Sequence, residues 1–389
     1  MAMATFAAGL LGYGFNLVLS HALGPPGFGE LSALLAVAIL ASVPGTALQA
    51  GIARRIASAP QRRDDVALLG QAVIVAVAVG CGLLLVGPLL RAGLGVQSWA
   101  NVLWLAASVV PTTLSFGFLG VLQGRRRFVA LGWLLVLVQG ARLAASVFAA
   151  VSGTGIAGAL GATTVLTSVV VAGAVFSIAP LSTRSRVAVW GGVLARDTIA
   201  MLGVLLLSNL DLVLARHYLH SHDAGLYAAG NLVTKAAFWG PSFVSTVTFP
   251  RLSIPHERQA ALTRGVIVLG AIAVVTTAAA AIGAPLVPVV LGGAYRPISG
   301  IAWLFALQGA ALAAVLLGVY AGLAVHNRTL SALVWVVAAG ETGAVAVWHD
   351  SVREVLAVVL CGSGTLLAAA CWQQRALLRW TARPAGERS

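Results

Sequence analysis

Charged residues are scarce in this sequence. They make up 9% of its 389 residues, whereas hydrophobic residues make up 59%, and the mean hydropathy is +0.96. About a quarter of the residues in a soluble domain are charged, so the polar side chains are too few to cover even one such domain. The composition therefore excludes a soluble protein and predicts an all-α integral membrane protein, because a helix satisfies its own backbone hydrogen bonds in lipid.

Cysteine is also rare, and none of the three cysteines has CxxC spacing. All three lie in apolar runs, which excludes a disulfide framework and a zinc site. An outer loop does hold several residues of metal-binding type, but their spacing fits no strong metal motif, so we expect no metal. They are His217, His220, His222 and Asp223. No Walker loop, DxD motif or Ser/His/Asp arrangement is present, so we expect neither an enzyme nor an organic cofactor.

The formal net charge is +13, but its distribution does not indicate nucleic-acid binding. The basic residues form short clusters between long apolar runs, as topology signals do. The chain enters an apolar run almost at Met1, without a basic leader or a cleavage site. We therefore interpret this run as the first spanning helix and not as a signal peptide.

About twelve apolar runs have the length of a membrane-spanning helix, which is ~20 residues. The predicted spans are 2–22, 31–53, 66–90, 99–123, 128–151, 156–180, 198–219, 224–249, 265–291, 298–324, 329–349 and 354–374. Eighteen arginines then fall on the side that holds both termini, and four fall on the other side. This bias predicts a multi-pass protein of the bacterial cytoplasmic (inner) membrane with both termini in the cytoplasm.

The two halves of the chain resemble each other at a nearly constant offset. The matched positions are Asn16 with Asp211, Gly29 with Gly225, Pro44 with Pro241, and 119–124 with 317–322. Each half has an even number of helices, so the halves share one orientation, and a substrate site is expected between such repeats. The predicted organisation is an N-terminal six-helix bundle (1–180), a cytoplasmic linker (181–197), a C-terminal six-helix bundle (198–374) and a cytoplasmic tail (375–389).

Three segments carry a resemblance to a known family. "LLGYGFNLVLSHALGPPGFGELS" at the start, residues 120–143 and residues 205–253 resemble helices of the polysaccharide flippases, which belong to the multidrug/oligosaccharidyl-lipid/polysaccharide exporter superfamily. The resemblance implies a V-shaped pair of bundles that moves a polyprenyl-pyrophosphate-linked oligosaccharide by alternating access. Compared with the family, the chain is short and an amino-terminal polar segment is missing, which leaves open whether the start lies upstream.

The flippase resemblance also implies partners. These are a lipid-linked glycan substrate, membrane lipids and glycan-assembly enzymes, with no nucleic acid. One alternative is a cation-coupled multidrug antiporter of the same superfamily, and another cargo within the flippase class is the peptidoglycan precursor. A membrane glycan polymerase or ligase is a weaker alternative, because such enzymes generally carry a large outer loop and the outer loops here are short.

Two basic residues lie deep inside predicted spans, where a charge is costly and usually serves a cavity or a partner. Arg142 shares a helix face with Gln139, and Lys235 shares one with Asn231. We predict that these four residues bind the pyrophosphate or an acidic sugar, since a guanidinium donates paired hydrogen bonds to phosphate. The alternatives are structural pairs: Arg142 with an intramembrane carboxylate, and Lys235 with Asp211.

Two carboxylates also lie deep inside predicted spans, Asp211 in the seventh and Glu341 in the eleventh. Either they form ion pairs, with Lys235, Arg216 or Arg142 as partners, or they carry a coupling H⁺ or Na⁺. Pro44 and Pro241 occupy matching spans of the two halves, and we expect both to act as hinges, because proline removes a helix hydrogen bond.

Overall fold

The computed structural model describes residues 2–58, 65–178, 192–252, 254, 256–323, 327 and 329–381, and every extended regular element among them is helical. The α-helices are α1 (Ala2–Ala41), α2 (Val43–Ser58), α3 (Asp65–Leu94), α4 (Trp99–Gly124), α5 (Phe128–Ser152), α6 (Gly155–Ile178), α7 (Gly192–Tyr218), α8 (Ser221–Leu252), α9 (Arg258–Ile282), α10 (Val287–Leu291), α11 (Ala302–Leu323), α12 (Thr329–Val347) and α13 (Val352–Thr381). Two 3₁₀ turns, Ala284–Leu286 and Gly293–Ile301, flank α10. The predicted all-α membrane fold is confirmed.

Nine stretches of the described residues are long and apolar enough to cross a membrane. The first of them, Met3–Ser58, has 56 residues. At 1.5 Å per residue it would be ~84 Å long, nearly three times the ~30 Å hydrocarbon core. It therefore contains two crossings. Together with α7 and α8, which have 27 and 32 residues, the described helices account for the twelve predicted spans.

The two crossings of the first stretch are separated at Gly24. Its φ of 62° and ψ of 178° lie outside the helical region, in a conformation that glycine adopts without steric cost. Pro25 and Pro26 follow at once, and proline is tolerated in the first turn of a helix because it needs no amide donor there. The second span therefore begins near Pro25 and not at residue 31 as predicted.

The chain divides into two compact units, residues 1–198 and 199–389. In the first unit α4 is the central helix and packs against α2, α3 and α6, while α1 packs against α5 and α5 against α6. The approach of α2 to α4 depends on Gly120, because a β-carbon there would lie 2.7 Å from the carbonyl oxygen of Gln49.

The second unit repeats this arrangement around α11, which packs against α8, α9 and α13, while α12 packs against α13. Gly203 of α7 lies against Val334 and Trp335 of α12, which corresponds to the packing of α1 on α5. The two central helices contain 119–124 and 317–322, two segments that match in the sequence repeat. The repeat in the sequence therefore corresponds to a repeat of helix packing.

Several boundaries differ from the predicted spans. The ninth span was predicted to run to residue 291, but α9 ends at Ile282, where Gly283 is followed by Pro285 in a 3₁₀ turn. The predicted linker falls largely on 179–191, which lie outside the described residues, and α7 already begins at Gly192. At the other end α13 continues to Thr381, beyond the predicted start of the tail.

Candidate functional site

The first group of intramembrane polar residues lies where α1 packs against α5. The Arg142 guanidinium lies 4.9 Å from the centre of the Phe15 ring, and its Nη1 donates to the side-chain oxygen of Gln139 at 3.5 Å. Gln139 in turn donates to the carbonyl oxygen of Ala8, also at 3.5 Å. The predicted pair of Arg142 and Gln139 is thus a real contact, and Phe15 of α1 is a neighbour that the sequence did not indicate.

Glycines of α1 make room for this group. A β-carbon at Gly12 would lie 2.6 Å from the amide nitrogen of Gln139, and one at Gly14 would lie 3.2 Å from Leu143. The small residues let the polar side chains of α5 lie directly on the α1 backbone. In the described part of the chain, Arg142 contacts Gln139 and Phe15, and neither carries a carboxylate. These contacts therefore do not support the alternative in which Arg142 forms a structural ion pair.

The second group lies between α7 and α8 and centres on Asp211, which is 3% exposed. Its Oδ2 accepts hydrogen bonds from the Tyr227 hydroxyl at 3.0 Å and from the Asn231 amide at 2.7 Å. Its Oδ1 accepts the backbone amide of Leu212 at 2.9 Å. Asn231, which we predicted to bind substrate, is 1% exposed and uses its amide group to hold Asp211.

Lys235, the chain's only lysine, lies one helical turn beyond Asn231 on α8. Its side chain is half-buried, and its charge interacts favourably with the Asp211 carboxylate. Lys235 and Asp211 therefore interact electrostatically, and substrate binding by Lys235 stays a prediction. The residues of α7 and α8 that the sequence singled out are brought together.

The third group centres on Glu341 of α12, which is 3% exposed. Neither carboxylate oxygen has a hydrogen-bond partner among the described residues. The carboxylate lies against Gly362 of α13, where a β-carbon would collide with Oε1. Glu341 is near enough to Asp211 for the two carboxylates to repel each other. The predicted alternative of an ion pair for Glu341 has no counterpart in the described part of the chain.

Buried amide oxygens of the second unit also lack a hydrogen donor within the described ranges. They are Asn209 Oδ1, Asn231 Oδ1 and Gln308 Oε1. The amide nitrogen of Gln308 is used, since it donates to Ser363 Oγ at 2.7 Å. Amide and carboxylate oxygens are ligands that hard cations prefer, and a buried acceptor without a donor is costly.

Sequence reasoning missed Phe15, Tyr227, Gln308 and Ser363 as members of these groups. A signal existed only for Tyr227, which precedes Asn231 by four residues and so shares its helix face.

The two prolines predicted as hinges lie in different surroundings. Pro44 is the second residue of α2, just after the break between α1 and α2. Pro241 lies inside α8, which is continuous from Ser221 to Leu252.

No family model matches this sequence, and no curated protein matches it. Solved structures do. A multidrug resistance MATE family transporter of the MOP superfamily, in an inward-facing conformation, matches with a TM-score of 0.78 at 14% identity, covering 97% of this chain and 96% of that one. The chain has the fold of MOP superfamily transporters.

Other solved structures with the same fold match less closely. An outward-facing conformation of such a MATE transporter has a TM-score of 0.64 at 16% identity, with 97% and 93% of the two chains covered. A MOP superfamily transporter from Pyrococcus furiosus, described as having a binding pocket of reverse polarity that suggests a different function, has a TM-score of 0.61 at 15% identity, with 98% and 94% covered. The MOP fold agrees with the superfamily that the sequence resembles, and the flippase family within it stays a prediction.

Proposed function

We propose that this multi-pass membrane protein is an alternating-access transporter whose cargo is an oligosaccharide linked to polyprenyl pyrophosphate. The fold supports transport, because MATE family transporters of the same fold are known in inward-facing and outward-facing conformations. The resemblance of the α1, α5, α7 and α8 sequences to polysaccharide flippases supports the cargo.

Arg142 is the observation that carries the proposal. A charge inside a spanning helix is expensive and is usually retained for a function. The described contacts of Arg142 are the Gln139 amide and the face of Phe15. Both stabilise and orient a guanidinium without neutralising it, so its charge remains to meet an anion. A pyrophosphate diester supplies such an anion, and the planar guanidinium can donate two parallel hydrogen bonds to it.

Coupling is assigned to the carboxylates of the second unit. Two buried carboxylates that repel each other are stabilised when a proton or a cation binds to them. Glu341 offers two oxygens without donors, and Asn231 and Gln308 offer further oxygens of the same kind. We propose that Asp211 and Glu341 bind a coupling H⁺ or Na⁺ and release it during the transport cycle.

A glycan-export assay tests the role of Arg142 and Lys235. The double variant R142A/K235A is expected to lose at least about 90% of export, since one charge-assisted hydrogen bond contributes about 1.5–3 kcal/mol. R142K should retain a part of the activity. The matched control R353A removes an arginine at the start of α13, outside all three groups, and should export normally. Normal export by the double variant at normal expression would refute the role.

A cation-coupled multidrug antiporter is the second candidate function. The MATE structures and the Asp211–Glu341 pair favour it as much as they favour the flippase. The polarity of the Pyrococcus furiosus pocket indicates that pocket charge differs among proteins of this fold, which makes Arg142 the discriminating residue. A deletion strain with greater drug sensitivity and an intact surface glycan supports the antiporter. A strain that loses its surface glycan without a change in drug sensitivity supports the flippase.

The proposed cargo also implies a place and partners for the protein. We assign it to the bacterial cytoplasmic membrane with both termini in the cytoplasm, where lipid-linked glycans are completed before export. Glycan-assembly enzymes are then its functional neighbours. Genes for glycosyltransferases beside its gene favour the flippase, whereas genes for drug-responsive regulators favour the antiporter.

A further inference from the structure

Arginines are concentrated where the C-terminal ends of α2 and α4 meet. The ends are in direct contact, because a β-carbon at Gly124 would lie 2.7 Å from the Ile56 side chain and 2.9 Å from the carbonyl oxygen of Ala53. Five arginines flank this contact on the two chain segments. They are Arg54, Arg55, Arg125, Arg126 and Arg127, here called the arginine cluster.

The arginine cluster is not balanced by acidic residues of its own helices. No aspartate or glutamate occurs in 43–58 or in 99–152, which include all of α2, α4 and α5. The nearest acidic residues along the chain, Asp64 and Asp65, directly follow two more arginines, Arg62 and Arg63. Arg54, Arg126 and Arg127 are exposed. The part of the surface that Arg54, Arg126 and Arg127 form is therefore basic.

Arg126 occupies a position that a glycine would occupy without strain. Its φ is 57°, and it is the non-glycine residue with positive φ in the described chain. The amide of Arg126 donates to the carbonyl of Gln123, and the amide of Arg127 donates to that of Leu122. This is the Schellman arrangement that ends many helices, with arginine in the left-handed position that glycine usually occupies.

Topology alone does not account for an arginine at position 126. A positive charge anywhere in the loop would mark its side of the membrane, and Arg125 and Arg127 already do so. A side chain in the left-handed region carries a steric penalty that glycine lacks, and such strain is concentrated at functional positions. The penalty indicates that the guanidinium of Arg126 is used.

An apolar surface adjoins the arginine cluster. Phe128 and Val129 begin α5 and are 48% and 77% exposed, and Trp133, one turn after Val129, is 63% exposed. The arginines and the exposed apolar side chains are therefore adjacent along the chain, where α4 ends and α5 begins. A phospholipid has the same order of chemical groups, with a phosphate at the membrane surface and acyl chains below it.

We propose that the arginine cluster binds an anionic phospholipid, with Arg126 as the principal phosphate contact and Phe128, Val129 and Trp133 against the acyl chains. The arginine fork fits the phosphate, and the exposed side chains of α5 distinguish a lipid from a free phosphate ion. This site uses none of the residues of the Arg142 group, and a lipid bound there stabilises the first unit.

Thermal unfolding of the full-length protein in neutral detergent tests the site, with phosphatidylglycerol or phosphatidylcholine added. Phosphatidylglycerol is expected to raise the wild-type midpoint, and phosphatidylcholine to leave it unchanged. R126Q keeps the strain but removes the charge, and R126G removes both. Both variants should bind phosphatidylglycerol about tenfold more weakly, since a charge-assisted hydrogen bond is lost. Without lipid, R126G should unfold about 2 °C higher than wild type because the strain is relieved.

R353Q is the matched control, because it removes one arginine from the second unit and should keep the full response to phosphatidylglycerol. Three results would overturn the proposal. In the first, R126Q and R126G keep the wild-type response. In the second, inorganic phosphate or glycerol phosphate alone gives a stabilisation that depends on Arg126, so the ligand is a free anion. In the third, R126G unfolds at a lower temperature than wild type without lipid, so arginine is preferred there for stability.

Discussion

Glu341 is a carboxylate in a membrane span with no hydrogen donor among the described residues. Burying an unpaired carboxylate costs several kcal/mol, so a purely structural role would have been served better by an apolar side chain. Repulsion from Asp211 adds to this cost, and we therefore expect the charge of Glu341 to change during the proposed transport cycle. The carboxylate without a donor and its contact with Gly362 each lead to one prediction at the scale of single residues.

Replacing Glu341 with glutamine removes the charge and keeps the shape. Because a neutral amide is cheaper to bury than an unpaired carboxylate, E341Q is expected to unfold about 2 °C above wild type at a pH at which Glu341 is ionised. Its transport should no longer respond to a Na⁺ or pH gradient. Thermal unfolding and gradient-driven uptake in vesicles measure the two effects. A large loss of stability in E341Q would instead indicate a structural ion pair.

The contact between Glu341 and Gly362 predicts a suppressor. A β-carbon at position 362 collides with the carboxylate, so G362A should destabilise the protein by about 1–3 kcal/mol. Shortening Glu341 removes the collision, and E341A/G362A should recover most of that loss. G364A on the same helix has open space around the new β-carbon and serves as the control. Equal losses in G362A and the double variant would show that the two residues do not interact.

At the scale of helices, glycines decide how closely α4 approaches its neighbours. A β-carbon at Gly120 would lie 2.7 Å from the Gln49 carbonyl oxygen, whereas one at Gly173 of α6 would have nothing within 4 Å. G120A is expected to cost about 1–3 kcal/mol through overpacking, and G173A is expected to be neutral or stabilising, because alanine favours helix over glycine. Thermal unfolding of the two variants in one detergent compares them. Equal midpoints would contradict the central place of α4 in the first unit.

The sequence was sufficient to predict that the spans are helices, because an apolar run of ~20 residues between arginine clusters can cross lipid only as a helix. It was less informative at their ends. "GPPGFG" reads as a loop, yet Gly24 provides the turn and Pro25 and Pro26 begin the next helix. The end of α9 at Ile282 was missed because residues 284–291 are as apolar as a span.

Contacts within one helix were also predictable, and contacts between helices were not. Arg142 with Gln139 follows from helical spacing, and so does Asn231 with Lys235 on one face of α8. The Phe15 ring beside Arg142 and the Gly362 backbone beside Glu341 are set by the packing of α1 on α5 and of α12 on α13, which no local pattern encodes. The hydrogen bond of the Asn231 amide to Asp211, which joins α7 and α8, was not predictable either, and substrate binding by Asn231 stays a prediction.

At the scale of the whole molecule, twelve crossings predict that both termini lie on one side of the membrane, and the arginine bias predicts that this side is the cytoplasm. A fluorescent-protein fusion at the C-terminus is expected to be bright, and an alkaline-phosphatase fusion there is expected to be inactive. A fusion with the opposite behaviour would show an odd number of crossings or the opposite orientation.

The proposed binding of an anionic, lipid-linked cargo by Arg142 can be tested on the purified protein. The protein is reconstituted into liposomes that contain a polyprenyl-pyrophosphate-linked oligosaccharide, and a membrane-impermeant reagent then reports the fraction of glycan in the outer leaflet over time. Wild type and the R353A control are expected to expose the inner-leaflet glycan, and R142A is expected to do so at least about tenfold more slowly. Exposure in wild-type liposomes no faster than in protein-free liposomes, or equally fast in R142A, would contradict this role.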